Sequence, residues 1–341
     1  MTTLFVGLDL GSRNCQLVAM NAEGSVTINR CFPTSEANLL SAVKELGGNL
    51  HLHIEAGELA AWVRSVLAPH VARLVVSHPC ANAWIAKDPN KSDRVDARKL
   101  ADLLRLNLLH EVYYPEEQSR RDFKLLVQHY DDLTAEQVRL KQKIKSRLRV
   151  QGVITRSARP FTAEGRVEAL AQVGSADVRA ALRQLYDVLD QTLVSQLAAQ
   201  RLMLQAAKSF PEVALFEAVP GMGPIGSCRF SAYIQTAHRF SNVRKLWRYC
   251  RLGVSHRSSD GKRIGRPRLD RAGCGRLKDV TRKAFTAALR SKGDNAFKRA
   301  YALSLERTHS ETHARLNVQR KFASVLRAMW LQMSPYRDEP G

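Results

Sequence analysis

The chain changes period repeatedly over its first hundred residues, and that rhythm restricts its fold more than any other feature. Residues 3–10, TLFVGLDL, are a short apolar run ending at Gly11 and Ser12, the mark of a buried strand. CQLVAMN (15–21) and SVTINR (25–30) suit hairpin partners, with AEG as the turn between them. SEANLLSAVKEL (35–46) has helical spacing behind a Thr34/Ser35 cap and stops at Gly47-Gly48. LHLHIEA (50–56) is a strand, GELAAWVRSVLAPH (57–70) a helix ended by Pro69, and ARLVVSH (72–78) a further strand. ANAWIAK (81–87) and RVDARKLADLLRL (94–106) have helical spacing. The order β-β-β-α-β-α-β-α predicts an α/β domain with a mixed sheet over residues 1–112.

The pattern then lengthens. Leu126, Tyr130, Leu133, Leu140, Ile144 and Leu148 form an apolar stripe on one long helix. Leu182, Tyr186, Leu189, Leu193 and Leu197 form another over 176–208. Residues 151–175, with Gly, Pro and Ser, suit a connector. Residues 113–210 therefore predict a helical, coiled-coil-like middle, whose two helices can pair with each other or with those of another copy. Residues 211–335 predict a third, mostly α-helical domain. In it AVPGMGPIGSCRFSAYI (218–234) places a Pro-Gly-x-Gly-Pro turn before an apolar helix. Such a turn either presents backbone amides to a phosphate or simply joins two helices tightly. Residues 251–276 are polar, Gly-rich and dense in arginine, and predict a long functional loop.

Charge narrows the function. The chain carries 53 Lys+Arg against 32 Asp+Glu, a net charge of +21, which points to a polyanionic partner, nucleic acid above all. Arg139, Lys141, Lys143, Lys145, Arg147 and Arg149 crowd the second half of the first long helix with no acid among them, a pattern suited to phosphate contact. At 45% hydrophobic residues the chain can bury a sizeable core. No apolar run reaches the roughly 18 residues of a membrane span, and the N-terminus lacks a signal-peptide pattern. A cytoplasmic protein acting at the bacterial nucleoid, without a membrane, is expected. The six cysteines form no CxxC pair, which argues against zinc ribbons and disulfide frameworks.

Four acids stand out against this basic background. Asp9 ends the first strand and Glu55 ends the strand at 50–55, and strand ends open onto the functional edge of such a sheet. Asp93 and Asp96 lie one turn apart on one helix face, where they repel each other. Oxygen ligands of this kind suit Mg²⁺ or Mn²⁺, and a cation between them offsets the repulsion. Whether one metal or two would bind stays open. Taken singly, each acid has an ordinary alternative as a helix cap, an ion-pair partner or a loop acid.

The set and its spacing resemble a known family. GLDLGSRN, HIEAG and K-x-D-x-x-DARKLAD are similar to the three blocks of the DEDD domain in the IS-one-ten family of insertion-sequence transposases, relatives of the Piv DNA invertase. VPGMGPIGSCRF, RFSNVRKLWRYCRLGV, SSDGKRIG and RLDRAGCGRLK resemble that family's second domain. The resemblance covers about residues 3–110 and 212–290. It implies a ribonuclease-H-like (RuvC-like) N-terminal fold with Asp9, Glu55, Asp93 and Asp96 as metal ligands; Asp102, two turns further on, fits less well. It implies a nucleophilic serine in the loop after the Gly-Val block. Ser259 is the expected nucleophile and Ser258 the alternative, since Asp260 stands where family members carry the following glycine. It also implies cleavage through a phosphoserine–DNA link, a tetramer arranged as a dimer of dimers, and a noncoding bridge RNA that pairs with target and donor DNA.

Arg266, Arg268 and Arg271 flank the serines and are expected to hold phosphates. His309 and His313 have the spacing of a zinc pair but no third ligand, so surface histidines are expected. Trp247 and Tyr249 can stack on a base or fill a core, and the apolar window around them favours the core. Two other functions remain: a RuvC-like nuclease in which water attacks, and a non-catalytic nucleic-acid-binding protein.

Overall fold

The computed structural model describes residues 2–79, 93–155 and 157–338. The segment ANAWIAK and the residues Lys91 and Ser92 lie outside the described residues. The chain divides into two units, Met1–Glu116 and Glu117–Gly341.

Among the described residues, the first unit is built on five strands: β1 (Thr3–Leu10), β2 (Asn14–Met20), β3 (Val26–Pro33), β4 (Asn49–Glu55) and β5 (Arg73–Ser77). Their order in the sheet is β3-β2-β1-β4-β5. β1 pairs antiparallel with β2, and β2 with β3, while β1–β4 and β4–β5 are parallel. This is the mixed sheet that the alternating pattern predicts, because the two early turns are short enough for hairpins and the later connections carry helices. Helix α1 (Glu36–Leu46) starts where the Ser35 hydroxyl accepts from the Asn38 amide, and ends at Gly47 and Gly48, both at positive φ. Together with α2 (Ala60–Leu67) it buries Val6, Leu8, Leu52 and Ile54 on one face of the sheet.

Strand alternation sends Phe5, Gly7, Asp9, His51, His53 and Glu55 to the other face. Helix α3 (Asp93–Arg105) lies there, packing Ala97 and Ala101 against Val18, Met20 and Phe5. The sheet is thus covered by helices on both faces.

The second unit is mostly helical. Helix α4 (Gln118–Val150) and α6 (Ala176–Ala207) are the two long helices of the sequence pattern. They pack antiparallel on each other: Leu140, Ile144 and Leu148 share a core with Leu182, Tyr186 and Leu189, and Gln196 donates to the Thr134 hydroxyl. The expected connector holds a further helix, α5 (Ala163–Ala171), capped by Thr162. Six more helices follow: α7 (Pro211–Glu217), α8 (Pro224–Ile234), α9 (Val243–Tyr249), α10 (Gly275–Arg290), α11 (Ala296–Thr308) and α12 (Glu311–Gln332). Their core is aromatic, with Phe297 stacked on Phe322 and Phe216 edge-on to both Phe230 and Trp330.

One expectation is corrected. Residues 251–276 are not one long loop. They contain an antiparallel hairpin, β6 (Val254–Ser259) and β7 (Lys262–Leu269), between α9 and α10. Asp260-Gly261 is its turn, and this dipeptide between strands is a strong hairpin signal. The arginine density masked the alternation.

Candidate active site

In the first unit the β1–β4 ladder pairs Leu8 with Ile54, so Asp9 and Glu55 come next on adjacent parallel strands. Helix α3 brings Asp93 and Asp96 to the same end in its first turn. Asp9 senses the other three acids. The Asp9 carboxyl is pushed up to about 6, first by burial and then by the charges of Asp93, Asp96 and Glu55.

Two features missed in the sequence place the helix. Gly7 is the first. A Cβ there would lie 2.0 Å from the Ala97 carbonyl oxygen and 2.5 Å from the Ala101 amide nitrogen. Only a glycine lets the backbone of α3 lie directly on β1, and Ala97 and Ala101 keep the helix face flat at the contact. The signal that could have found it is an alanine pair four apart on the helix that carries the acids, facing a glycine two residues before Asp9.

His53 is the second. It is fully buried, with Nδ1 2.7 Å from the Leu100 carbonyl of α3 and Nε2 2.7 Å from the Ser77 hydroxyl of β5. A carbonyl accepts only, so Nδ1 carries the proton and Nε2 accepts from Ser77. Burial holds this imidazole below its usual range, with the Leu100 bond acting in the opposite direction. His53 therefore ties α3, β4 and β5 together as a neutral ring. His53→Ala is expected to destabilise the protein by about 3 kcal/mol, through a cavity and a stranded carbonyl. Urea unfolding measures this, and a loss under about 1 kcal/mol would contradict the role.

The donor set fits a hard divalent cation in its chemistry. It is all carboxylate, and Asp96 Oδ1 is buried without a hydrogen-bond partner among the described residues. The four acids gather without closing into a cage: among the described residues no three His, Cys, Asp or Glu side chains stand close enough to hold one ion. Asp102 is engaged elsewhere, in an ion pair with Arg105 at 3.0 Å.

In the second unit Ser258 and Ser259 sit at the exposed end of β6. Arg266, Arg268 and Arg271 are exposed along β7 and just beyond it. The six cations of α4 do not form one free stripe. Arg139 is paired with Glu136, and Lys141 and Lys145 stand over the Phe161 ring at 5.7 and 5.6 Å. Lys143, Arg147 and Arg149 are exposed.

The Gly-rich turn before α8 is a packing device. Gly221, at φ 88°, lies where a Cβ would meet the Ala284 carbonyl of α10 at 2.2 Å. The neighbouring cavity of about 600 Å³ is lined by charges that pair among themselves: Arg229 with Asp131 and Asp279, Arg276 with Asp131. Trp247 belongs to the core, donating through Nε1 to the Arg320 carbonyl and the Ser324 hydroxyl, and Tyr249 packs there too. His309 is the left-handed residue between α11 and α12, so it and His313 do not share a helix.

Two family models match this chain. The DEDD model of the IS110 type, described as "Transposase", matches residues 6–151. The model described as "Transposase IS116/IS110/IS902 family" matches residues 213–302. Together they span well over half of the sequence, the first containing all four acids and the second both serines. No curated protein matches the chain.

Proposed function

The chain belongs to the IS110 family of transposases, and from that premise we propose that it cuts and rejoins DNA at the ends of a mobile element through a covalent serine–DNA intermediate. The observation that carries the catalytic reading is the gathering of Asp9, Glu55, Asp93 and Asp96 at one end of the sheet, with Asp96 Oδ1 unpartnered. The strand order supports a ribonuclease-H-like reading of this domain.

The work divides along the chain. Residues 1–112 carry the carboxylates, 113–210 the helical middle and 211–335 the serine. Asp9, Glu55, Asp93 and Asp96 would hold Mg²⁺ or Mn²⁺, which would supply Lewis-acid polarisation of the scissile phosphate. Ser259 presents its hydroxyl as the nucleophile from an exposed strand end, with Ser258 as the alternative. Serine is a weak nucleophile at neutral pH, so the phosphate it attacks must be held and polarised. Arg266, Arg268 and Arg271 hold the DNA backbone beside it. Lys143, Arg147 and Arg149, exposed cations of α4, track a nucleic-acid backbone with Arg139, Lys141 and Lys145 in support. Target and donor DNA pair with a bridge RNA carried by a tetramer.

The test is covalent trapping. The protein, purified with the RNA it carries, is incubated with Mg²⁺ and duplex DNA bearing the element ends, then run on a denaturing gel. Ser259→Ala is expected to remove the protein–DNA adduct entirely. Cleaved DNA without an adduct in the parent, unaffected by either serine change, would replace this reading with the water-using nuclease.

A further inference from the structure

A two-residue turn decides what stands beside Ser259. Asp260 and Gly261 both take positive φ, 51° and 70°, and join Ser259 to its ladder partner Lys262. Positive φ at both positions is the type I′ turn, whose twist matches that of the strands it connects. Residues directly opposite in an antiparallel pair share a face, with Cβ atoms ~4.5–5.5 Å apart. The Ser259 hydroxyl and the Lys262 ammonium therefore leave the hairpin side by side, and both residues are exposed. Ser258 pairs with Arg263 and, by alternation, belongs to the opposite face.

The base of this hairpin is fixed. The Asp270 amide donates to the Gly253 carbonyl at 2.9 Å, Arg320 Nε donates to the Leu252 carbonyl at 2.9 Å, and Leu252 is fully buried. Among the described residues Lys262 makes no ion pair. A cation without an acid partner thus stands next to a hydroxyl, at the tip of a ribbon anchored at its other end.

We propose that Lys262 is a catalytic residue of the serine step, its ammonium binding a non-bridging oxygen of the phosphate that Ser259 attacks. This rests on Ser259 being the nucleophile. In the step, a bond forms from Ser259 Oγ to phosphorus and the bond from phosphorus to the departing deoxyribose oxygen breaks. The serine proton ends on the released sugar hydroxyl. One phosphodiester replaces another, and no further reactant is consumed. Negative charge grows on the non-bridging oxygens as Oγ approaches, so a cation already in place there favours the transition state over the bound substrate. The lysine stem is long and flexible enough to span the gap between the two strands, and its three donors accept any orientation of the phosphate.

The test measures adduct formation and DNA binding in parallel on the full chain with its RNA, Mg²⁺ and duplex DNA bearing the element ends. The variants are Lys262→Ala, Lys262→Arg, Ser259→Ala and Ser258→Ala. Lys262→Ala is expected to slow the adduct by about 10²-fold while DNA affinity stays within about twofold of the parent. Lys262→Arg is expected to recover most of the rate, because it keeps the cation. Position 262 is exposed at a turn, so unchanged thermal unfolding is expected for both lysine variants. An adduct lost in Ser259→Ala but formed at the parental rate in Lys262→Ala would overturn the lysine assignment and leave the serine standing. A Lys262→Arg variant as slow as Lys262→Ala would overturn the phosphate-binding role. An adduct that survives Ser259→Ala and disappears in Ser258→Ala would overturn the choice of serine, and the lysine assignment with it, since Ser258 belongs to the other face.

Discussion

Asp96→Asn is expected to lower strand cleavage on the order of 10³-fold while making the metal-free protein more stable. Asparagine keeps the size of the side chain and removes its charge. The loss follows from the removal of one electrostatic group from the proposed centre, where phosphate charge would be stabilised. The gain in stability follows from the same geometry. Asp96 is among the charges that push the Asp9 carboxyl up to about 6, after burial and Asp93, so neutralising it relieves repulsion within the folded unit. The thermal midpoint without divalent ion is therefore expected to rise by a few degrees. The further rise that Mg²⁺ produces in the parent is expected to shrink or vanish. Differential scanning fluorimetry with and without Mg²⁺ reads both effects without any turnover. A parental Mg²⁺ response in Asp96→Asn would remove this residue from the cation site.

Gly7→Ala is the second large effect, and it acts without touching a charged group. The added methyl would fall on the backbone of α3 at Ala97 and Ala101, and backbone cannot swing aside as a side chain can. Either the helix lifts or the strand bends, at a cost of about 1–3 kcal/mol for overpacking and more where the backbone resists. The lift carries Asp93 and Asp96 away from Asp9 and Glu55. A misplacement of about 1 Å is enough to cost on the order of 10²-fold in rate. Urea unfolding and the cleavage assay together check this. Gly57→Ala is the matched control for stability, because a Cβ there meets nothing within 4 Å. A Gly7→Ala protein as stable and as active as the parent would show that the helix does not depend on this contact for its position.

Much of the fold is legible in the sequence itself. The switch from period two to helical spacing marks each element of the first unit, and short turns such as AEG distinguish the antiparallel pairs from the parallel ones joined through helices. The acids were legible because two carboxylates one turn apart on a helix need a reason, and because Asp9 and Glu55 each end an apolar run. The hairpin at 254–269 was obscured for a physical reason. Its described side chains are exposed, so the alternation is written mostly in arginine, serine and lysine rather than in apolar residues. Its one clear local sign is Asp260-Gly261. The six cations of α4 looked equivalent in a linear string. Phe161, from the far side of a turn, takes two of them, and Glu136 takes a third.

The sequence alone determined the class of partner, the mixed sheet and the two long helices, and it singled out four acids as candidates, because charge and periodicity are local properties of a chain. Only the tertiary structure decided that the long helices pair with each other, that Gly7 and His53 set the seat of the acid-bearing helix, and that Lys262 rather than Arg263 stands across from Ser259. Each of these depends on register or close approach between segments far apart in sequence. A glycine is required at position 7 only because a helix about ninety residues later lies upon it, and no local pattern records that contact.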